Sequence, residues 1–155
     1  MSGIIGGAGS KSGVIDGLDI YAHLDNCSTT YGDMTFGTFE GDSLNITQSG
    51  VNVTLVKSGV YFITCTFNWT MDGTERYVFG QIRTVSGSRG SSQLSLCNDQ
   101  IEYSADSSTS YGGATATFVG TFVGGDVIKF TYESGEHANA GMRDNTHASI
   151  YRIFR

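Results

Sequence analysis

The sequence predicts a single all-β domain, a sandwich or jelly roll, and three observations predict it. The first is composition. Of 155 residues, 22 are Gly and none is Pro. Thr, Ser, Val, Ile, Tyr and Phe are common and Leu, Ala, Glu and Lys scarce, so strand formers outnumber helix formers. The second is a two-residue alternation of apolar and polar side chains, the period of a half-buried strand. The third is turn chemistry, which recurs about every 8–12 residues, the spacing of a β-sandwich.

The predicted strands run over residues 19–24, 34–40, 51–56, 59–70, 76–85, 93–97, 100–103, 114–123, 126–133 and 147–154. Short pairs of turn formers separate them: Asp25-Asn26, Gly41-Asp42, Ser49-Gly50, Asp72-Gly73, Ser86-Gly87, Asn98-Asp99, Gly124-Gly125 and Ser134-Gly135, each suited to a left-handed or tightly turned backbone. The strand 59–70 is the most informative. Tyr61, Ile63, Cys65, Phe67 and Trp69 share one face, which must be core. Val60, Phe62, Thr64, Thr66 and Asn68 share the other. That second face begins apolar and turns Thr-rich, which suits contact with another subunit more than bare solvent. Strand 114–123 repeats the pattern, with Ala116, Phe118, Gly120 and Phe122 opposed to Thr115, Thr117, Val119 and Thr121. The last strand sets Ala148, Ile150 and Phe154 against Ser149, Tyr151 and Ile153.

Residues 1–17, MSGIIGGAGSKSGVIDG, form a separate unit from 18–155. The segment is rich in Gly and Ser, and beyond Met1 its apolar side chains are Ile4, Ile5, Val14 and Ile15. It cannot build a core of its own. Such an arm becomes ordered only by lying on something, and it is read as a docking arm.

Charge and chemistry exclude several functions. The formal net charge is −6, which argues against nucleic acid and against anionic membranes. No apolar run approaches the roughly 18 residues of a membrane span, and no signal peptide is visible. Cys27, Cys65 and Cys97 are odd in number and lack metal-type spacing; they are expected to be reduced, buried and inert, as in a reducing cytoplasm. His23, His137 and His147 do not pair at metal-binding spacings. Glu136, His137 and Asp144 share one predicted loop without a recognisable ligand pattern. Asp19, Asp25, Asp33 and Asp42 stand beside Gly, Asn or strand ends and are read as turn residues. No nucleophile elbow or phosphate-binding loop is present. No catalytic residue, metal or cofactor is therefore expected. Tyr103 and Tyr111, flanked by Ser and Gly, form a possible ligand-contact loop, because Tyr supplies contact area at small entropic cost.

Three stretches resemble the jelly-roll heads of the tumour-necrosis-factor and complement-type family. Gly59-Val60-Tyr61-Phe62-Ile63 resembles the family's G-[IVL]-Y-x-[FI] strand, FVGTFVGGDVI at 118–128 its GD hairpin, and HASIYRIF at 147–154 its closing strand. Two departures are Arg152, where the family is apolar, and loops 86–92 and 103–113, which lack the acidic pairs of calcium-binding members. The resemblance implies a ten-stranded jelly roll that trimerises, with Phe62, Thr64, Thr115, Thr117, Tyr151 and Ile153 facing the threefold axis. The arm resembles the start of small structural proteins of tailed bacteriophages. Together these imply a virion protein assembled in a bacterial cytoplasm. The expected role is a trimeric capsid decoration (cement) protein, whose arm docks on the major capsid protein or another virion protein. The alternative is a tail-fibre or receptor-binding head that touches a host glycan or protein.

Overall fold

The structure is a computed structural model that describes residues 20–27, 32–71, 77–100, 110–134, 141–143 and 145–155. The described residues fold into two antiparallel sheets packed face to face, with no helix among them. Sheet one contains β1 (Tyr21–Cys27), β3 (Phe36–Gly41), β6 (Gly59–Met71), β9 (Ser110–Phe122), β11 (Gly141–Met142) and β12 (His147–Phe154). Sheet two contains β2 (Gly32–Asp33), β4 (Ile46–Ser49), β5 (Asn52–Leu55), β7 (Tyr77–Ser86), β8 (Ser92–Gln100) and β10 (Asp126–Ser134). Across sheet one the order is β9-β6-β12-β1-β3, with β11 continuing the β12 row beside Trp69 and Thr70. Across sheet two it is β4-β5-β10-β7-β8, with β2 continuing the β5 row beside Thr131 and Tyr132.

The alternation read in β6 is the spine of the core. Tyr61, Ile63, Cys65, Phe67 and Trp69 are all fully buried. They meet Val53, Leu55, Ile82, Ile128, Phe130 and Tyr132 of sheet two in one apolar cluster. Burial of each large side chain contributes roughly 1.5–3 kcal/mol before ordering costs. The sheets approach closely because Gly80 faces Phe67: a Cβ at Gly80 would lie 2.4 Å from the Phe67 ring. All three cysteines are buried. Burial pushes the Cys65 thiol well up and raises Cys97 to about 11.

Several sequence expectations are corrected by pairing. Twelve strands appear among the described residues, two of them only two residues long, rather than ten. Ile46–Ser49, assigned to no strand, pairs with β5 as β4. Asn98-Asp99 is not a turn, because β8 runs on to Gln100 opposite Phe79, Val78 and Tyr77; residues 101–103 of the next predicted strand lie outside the described residues. A long partner strand offers hydrogen bonds along its whole length, and these override local turn preference. Asp25-Asn26 is not a turn either. Asn26 takes φ +55° inside β1, a left-handed conformation that Asn tolerates. The alternation slips there, so Leu24 and then Cys27 face the core. Phe154 does not face the core: a register shift between Arg152 and Phe154 sets it opposite Val60, 53% exposed. The turns at Gly41-Asp42, Ser49-Gly50, Ser86-Gly87 and Gly124-Gly125 are present, with positive φ at Gly41, Gly50, Gly87 and Gly125.

Strand direction gives the sandwich two unlike ends. At one end lie Ile20, the turns 42–45, 56–58, 87–91 and 123–125, and Arg155. This end is latched across the sheets. Asp126, buried, accepts hydrogen bonds from the Ser88 amide and hydroxyl at 2.6 Å each and from the Val123 amide at 2.9 Å. Gly87 allows the approach, since a Cβ there would sit 2.1 Å from the Asp126 carboxylate. Beside it, Arg89 donates to the Thr121 carbonyl at 2.9 Å and lies over the rings of Phe118 and Phe122. At the opposite end lies the turn Gly50-Val51, and β1, β6, β8 and β10 finish there.

Burial alone would push the Asp126 carboxyl up; the Ser88 and Val123 hydrogen bonds and the charge of Arg89 outweigh it and hold the carboxyl below the ordinary value of 3.8. A depressed carboxylate stabilises the fold above the unfolded pKa and loses that contribution as pH falls toward the folded value. Asp126→Asn is therefore expected to cost about 1–3 kcal/mol at neutral pH. The same variant should flatten the acid limb of stability below about pH 4, both read from urea melts across pH. Cys65 should resist thiol reagents in the native protein and react once urea unfolds it; rapid native labelling would contradict its burial.

Candidate functional site

The outer face of sheet one is the most distinctive described surface. Register places its side chains in rows across the strands. Val119, Phe62, Tyr151 and Tyr21 form one row. Thr117, Thr64, Ser149, His23 and Glu40 form the next, and Thr115, Thr66 and His147 the one after. The outward positions of β9, β6 and β12 carry no Asp, Glu, Lys or Arg. Among the described residues, acidic groups enter this face at the β1–β3 margin, as Asp25 and Glu40. An uncharged face of this extent is unusual on a chain of net charge −6.

The aromatic row is packed within itself. The Tyr21 and Tyr151 rings stack at 5.1 Å, and Phe62 tilts against Tyr151 at 6.2 Å. Burial raises the Tyr21 hydroxyl, with Tyr151 and Glu40 adding to the rise. Val119, 54% exposed, ends the row. The threonines pair across strands: Thr64 with Thr117 at 3.4 Å and Thr66 with Thr115 at 3.2 Å. In each pair one hydroxyl donates to the other, a cross-strand bond of the kind that stabilises Thr-rich sheet faces. Such a face can be covered by another protein surface without stranding a charge.

Of the residues that sequence assigned to a threefold contact, Phe62, Thr64, Thr115, Thr117 and Tyr151 lie together on this face. Ile153 sits at the β12 irregularity between Arg152 and Phe154 and is half-buried. Arg152, the departure from the family pattern, points inward opposite Tyr61 and donates to the Ser58 carbonyl at 3.3 Å. Ile4, Ile5, Val14 and Ile15 of the arm lie outside the described residues, as do Tyr103, Glu136, His137 and Asp144. Tyr111 falls at the start of β9, opposite Thr70. Asp42 keeps its turn role, accepting from the Leu44 amide and the Asn45 side chain. Asp33 instead meets Lys129 at 2.8 Å on sheet two.

Sequence spacing missed two features. Tyr21 joins the aromatic row although it stands far from Phe62 and Tyr151 along the chain, and His23 and His147 come together with ring centroids 5.6 Å apart. Both depend on the pairing of β1 with β12, which no local pattern announces. Among the described residues no group of three or more His, Cys, Asp or Glu is placed to hold a metal ion. Comparison with protein families and with curated proteins finds no match.

Phe62→Asp places a carboxylate at the centre of the uncharged face. If that face joins subunits, light scattering should show wild type at about three times 16.5 kDa and the variant at the mass of one folded chain, because buried unpaired charge is strongly disfavoured. A wild-type chain that stays monomeric at micromolar concentration would contradict self-association.

Proposed function

We propose that this chain is a non-enzymatic virion structural protein, a jelly-roll module that assembles as a homotrimer and decorates a capsid through residues 1–17. The observation that carries the assembly half is the uncharged face on β9, β6 and β12, with its aromatic row and paired threonines. The strand order supports the jelly-roll form: β1, β12, β6 and β9 face β5, β10, β7 and β8, and first and last strands are neighbours. The virion half rests on the resemblance of MSGIIGGAGSKSG to phage structural proteins.

The polarity of the sandwich fits docking by the arm. The arm joins the domain at Ile20, which is buried and whose carbonyl accepts the Arg152 amide at 3.0 Å. Among the described residues, four of the six large, exposed apolar side chains lie at that same end: Leu44, Val56, Val123 and Phe154. Backbone bonds tie their segments together, Val56 to the Asn45 carbonyl and Gly124 to the Ser58 hydroxyl, each at 2.9 Å. Val14 and Ile15, close to Ile20 along the chain, could extend this apolar area onto a partner. Ordering the arm costs on the order of 1–2 kcal/mol per residue, more than its few apolar anchors return. Binding must also use main-chain hydrogen bonds to the partner and the multiplicity of an oligomer.

The second reading, a tail-fibre or receptor-binding head, draws on the opposite end. Tyr103 lies outside the described residues, in sequence between Gln100, the last residue of β8, and Ser110, the first of β9, and both of these strand ends are at that end. Copy number separates the two readings: hundreds per particle mean decoration, a few tens or fewer mean tail. Deletion of residues 2–15 should leave a folded domain of unchanged mass class that no longer binds particles. Undiminished binding by the truncated chain would assign attachment to the domain itself.

A further inference from the structure

The two histidines on sheet one form a chemical unit that the proposed function leaves unused. His23 on β1 and His147 on β12 sit on the same outward face with rings 5.6 Å apart and inclined by 42°. Two imidazoles that share one zinc ion, each nitrogen at roughly 2.0–2.1 Å, hold their ring centres about 5–5.5 Å apart. The observed spacing is therefore close to that of a chelating pair.

The hydrogen bonds of the rings point the same way. His147 Nδ1 lies 3.1 Å from the Asn145 carbonyl oxygen. A carbonyl only accepts, so Nδ1 carries the proton and Nε2 keeps its lone pair. His23 Nδ1 lies 3.1 Å from the Ser149 hydroxyl, which can accept from it in the same sense. Metal-binding histidines are typically held in this way, one ring nitrogen donating to an oxygen and the other turned to the ion. The surroundings suit a cation: the chain carries −6, and Glu40 is the β3 neighbour of His23.

We propose that His23 and His147 form a two-imidazole site for a divalent transition metal ion of the imidazole-preferring class, such as zinc or nickel. We further propose that the ion bridges to a second copy of this chain. Because no third His, Cys, Asp or Glu joins the pair among the described residues, the remaining positions on the ion are open to a donor from the neighbouring copy, a head-to-tail contact of the kind a threefold assembly makes. The open positions face outward, where the uncharged surface would meet its partner. The bridging half rests on the self-association proposed above; the chelating pair does not.

Zinc chloride and nickel chloride, titrated separately into the EDTA-stripped full chain by calorimetry, test the pair. Wild type should bind, and His23→Ala and His147→Ala should each weaken binding by about tenfold or more, with melting temperatures in EDTA close to wild type. His137→Ala should bind as wild type. Equal affinity in wild type and either pair variant, or loss of binding in His137→Ala alone, overturns the site. Light scattering and thermal melts with EDTA or zinc then test the bridge. A zinc-dependent gain in mass, or a melting temperature whose zinc-dependent rise grows with protein concentration, absent in both pair variants, supports it; a mass and a concentration dependence identical with EDTA and zinc overturn it. A monomer under every condition refutes self-association and the bridge with it, while the titration still decides the pair.

Discussion

Burial of the inner face of β6 is the constraint from which the rest of the molecule follows. Five large side chains on one strand must be covered by sheet two, and the strand alternation commits the other side chains to the opposite surface. The same thirteen-residue element therefore sets both the core and the composition of the outward face. Its neighbours accept the terms. Gly80 withdraws to admit Phe67, and β9 runs along the full length of β6, with Ala116 behind its Thr115 and Thr117. A slip of one residue would carry Phe67 and Trp69 outward and Thr66 and Asn68 into the core, so the register has no close competitor.

Polar interactions are placed where apolar burial ends. Asp126 and Arg89 tie the β7–β8 turn to β9 and the β9–β10 turn at one end of the sandwich. A carboxylate held by three donors, and a guanidinium spread over two rings, are directional in a way that core packing is not. They fix how the sheets meet at the end where Ile20 enters, and this end presents short, closed turns. At the opposite end β1, β6, β8 and β10 finish, and the two-residue turn at Gly50-Val51 joins β4 to β5.

Much of this was legible because the informative signals are local. The two-residue period in 59–70 and 114–123 identifies inner and outer side chains before any partner strand is known, and Gly125 and Gly50 announce their turns. The failures are equally physical. Asn26 reads as a turn residue, yet its tolerance of positive φ is used to slip the alternation of β1 while pairing with β3 continues. Asn98 and Asp99 read as a turn, yet β7 supplies a ladder that keeps them extended. Phe154 reads as core until the β12 irregularity turns it out. The His23–His147 pair and the place of Tyr21 were invisible, because both arise from pairing between the two extremes of the chain.

That pairing has a kinetic side. Tyr21 faces Tyr151 and Leu24 faces Ala148, so β1 finds its central neighbour only when the last strand exists. The loop closed by this contact is nearly the whole domain, and its entropic cost falls at the end of folding. During synthesis, β6 and β9 can pair and collapse on sheet two while the β12 side of β6 stays an open edge. For that interval the nascent chain displays an unpaired backbone ladder beside an uncharged, aromatic surface, a combination prone to wrong association. Emergence of β12 from the ribosome, rather than formation of any one hairpin, is then the event that closes sheet one.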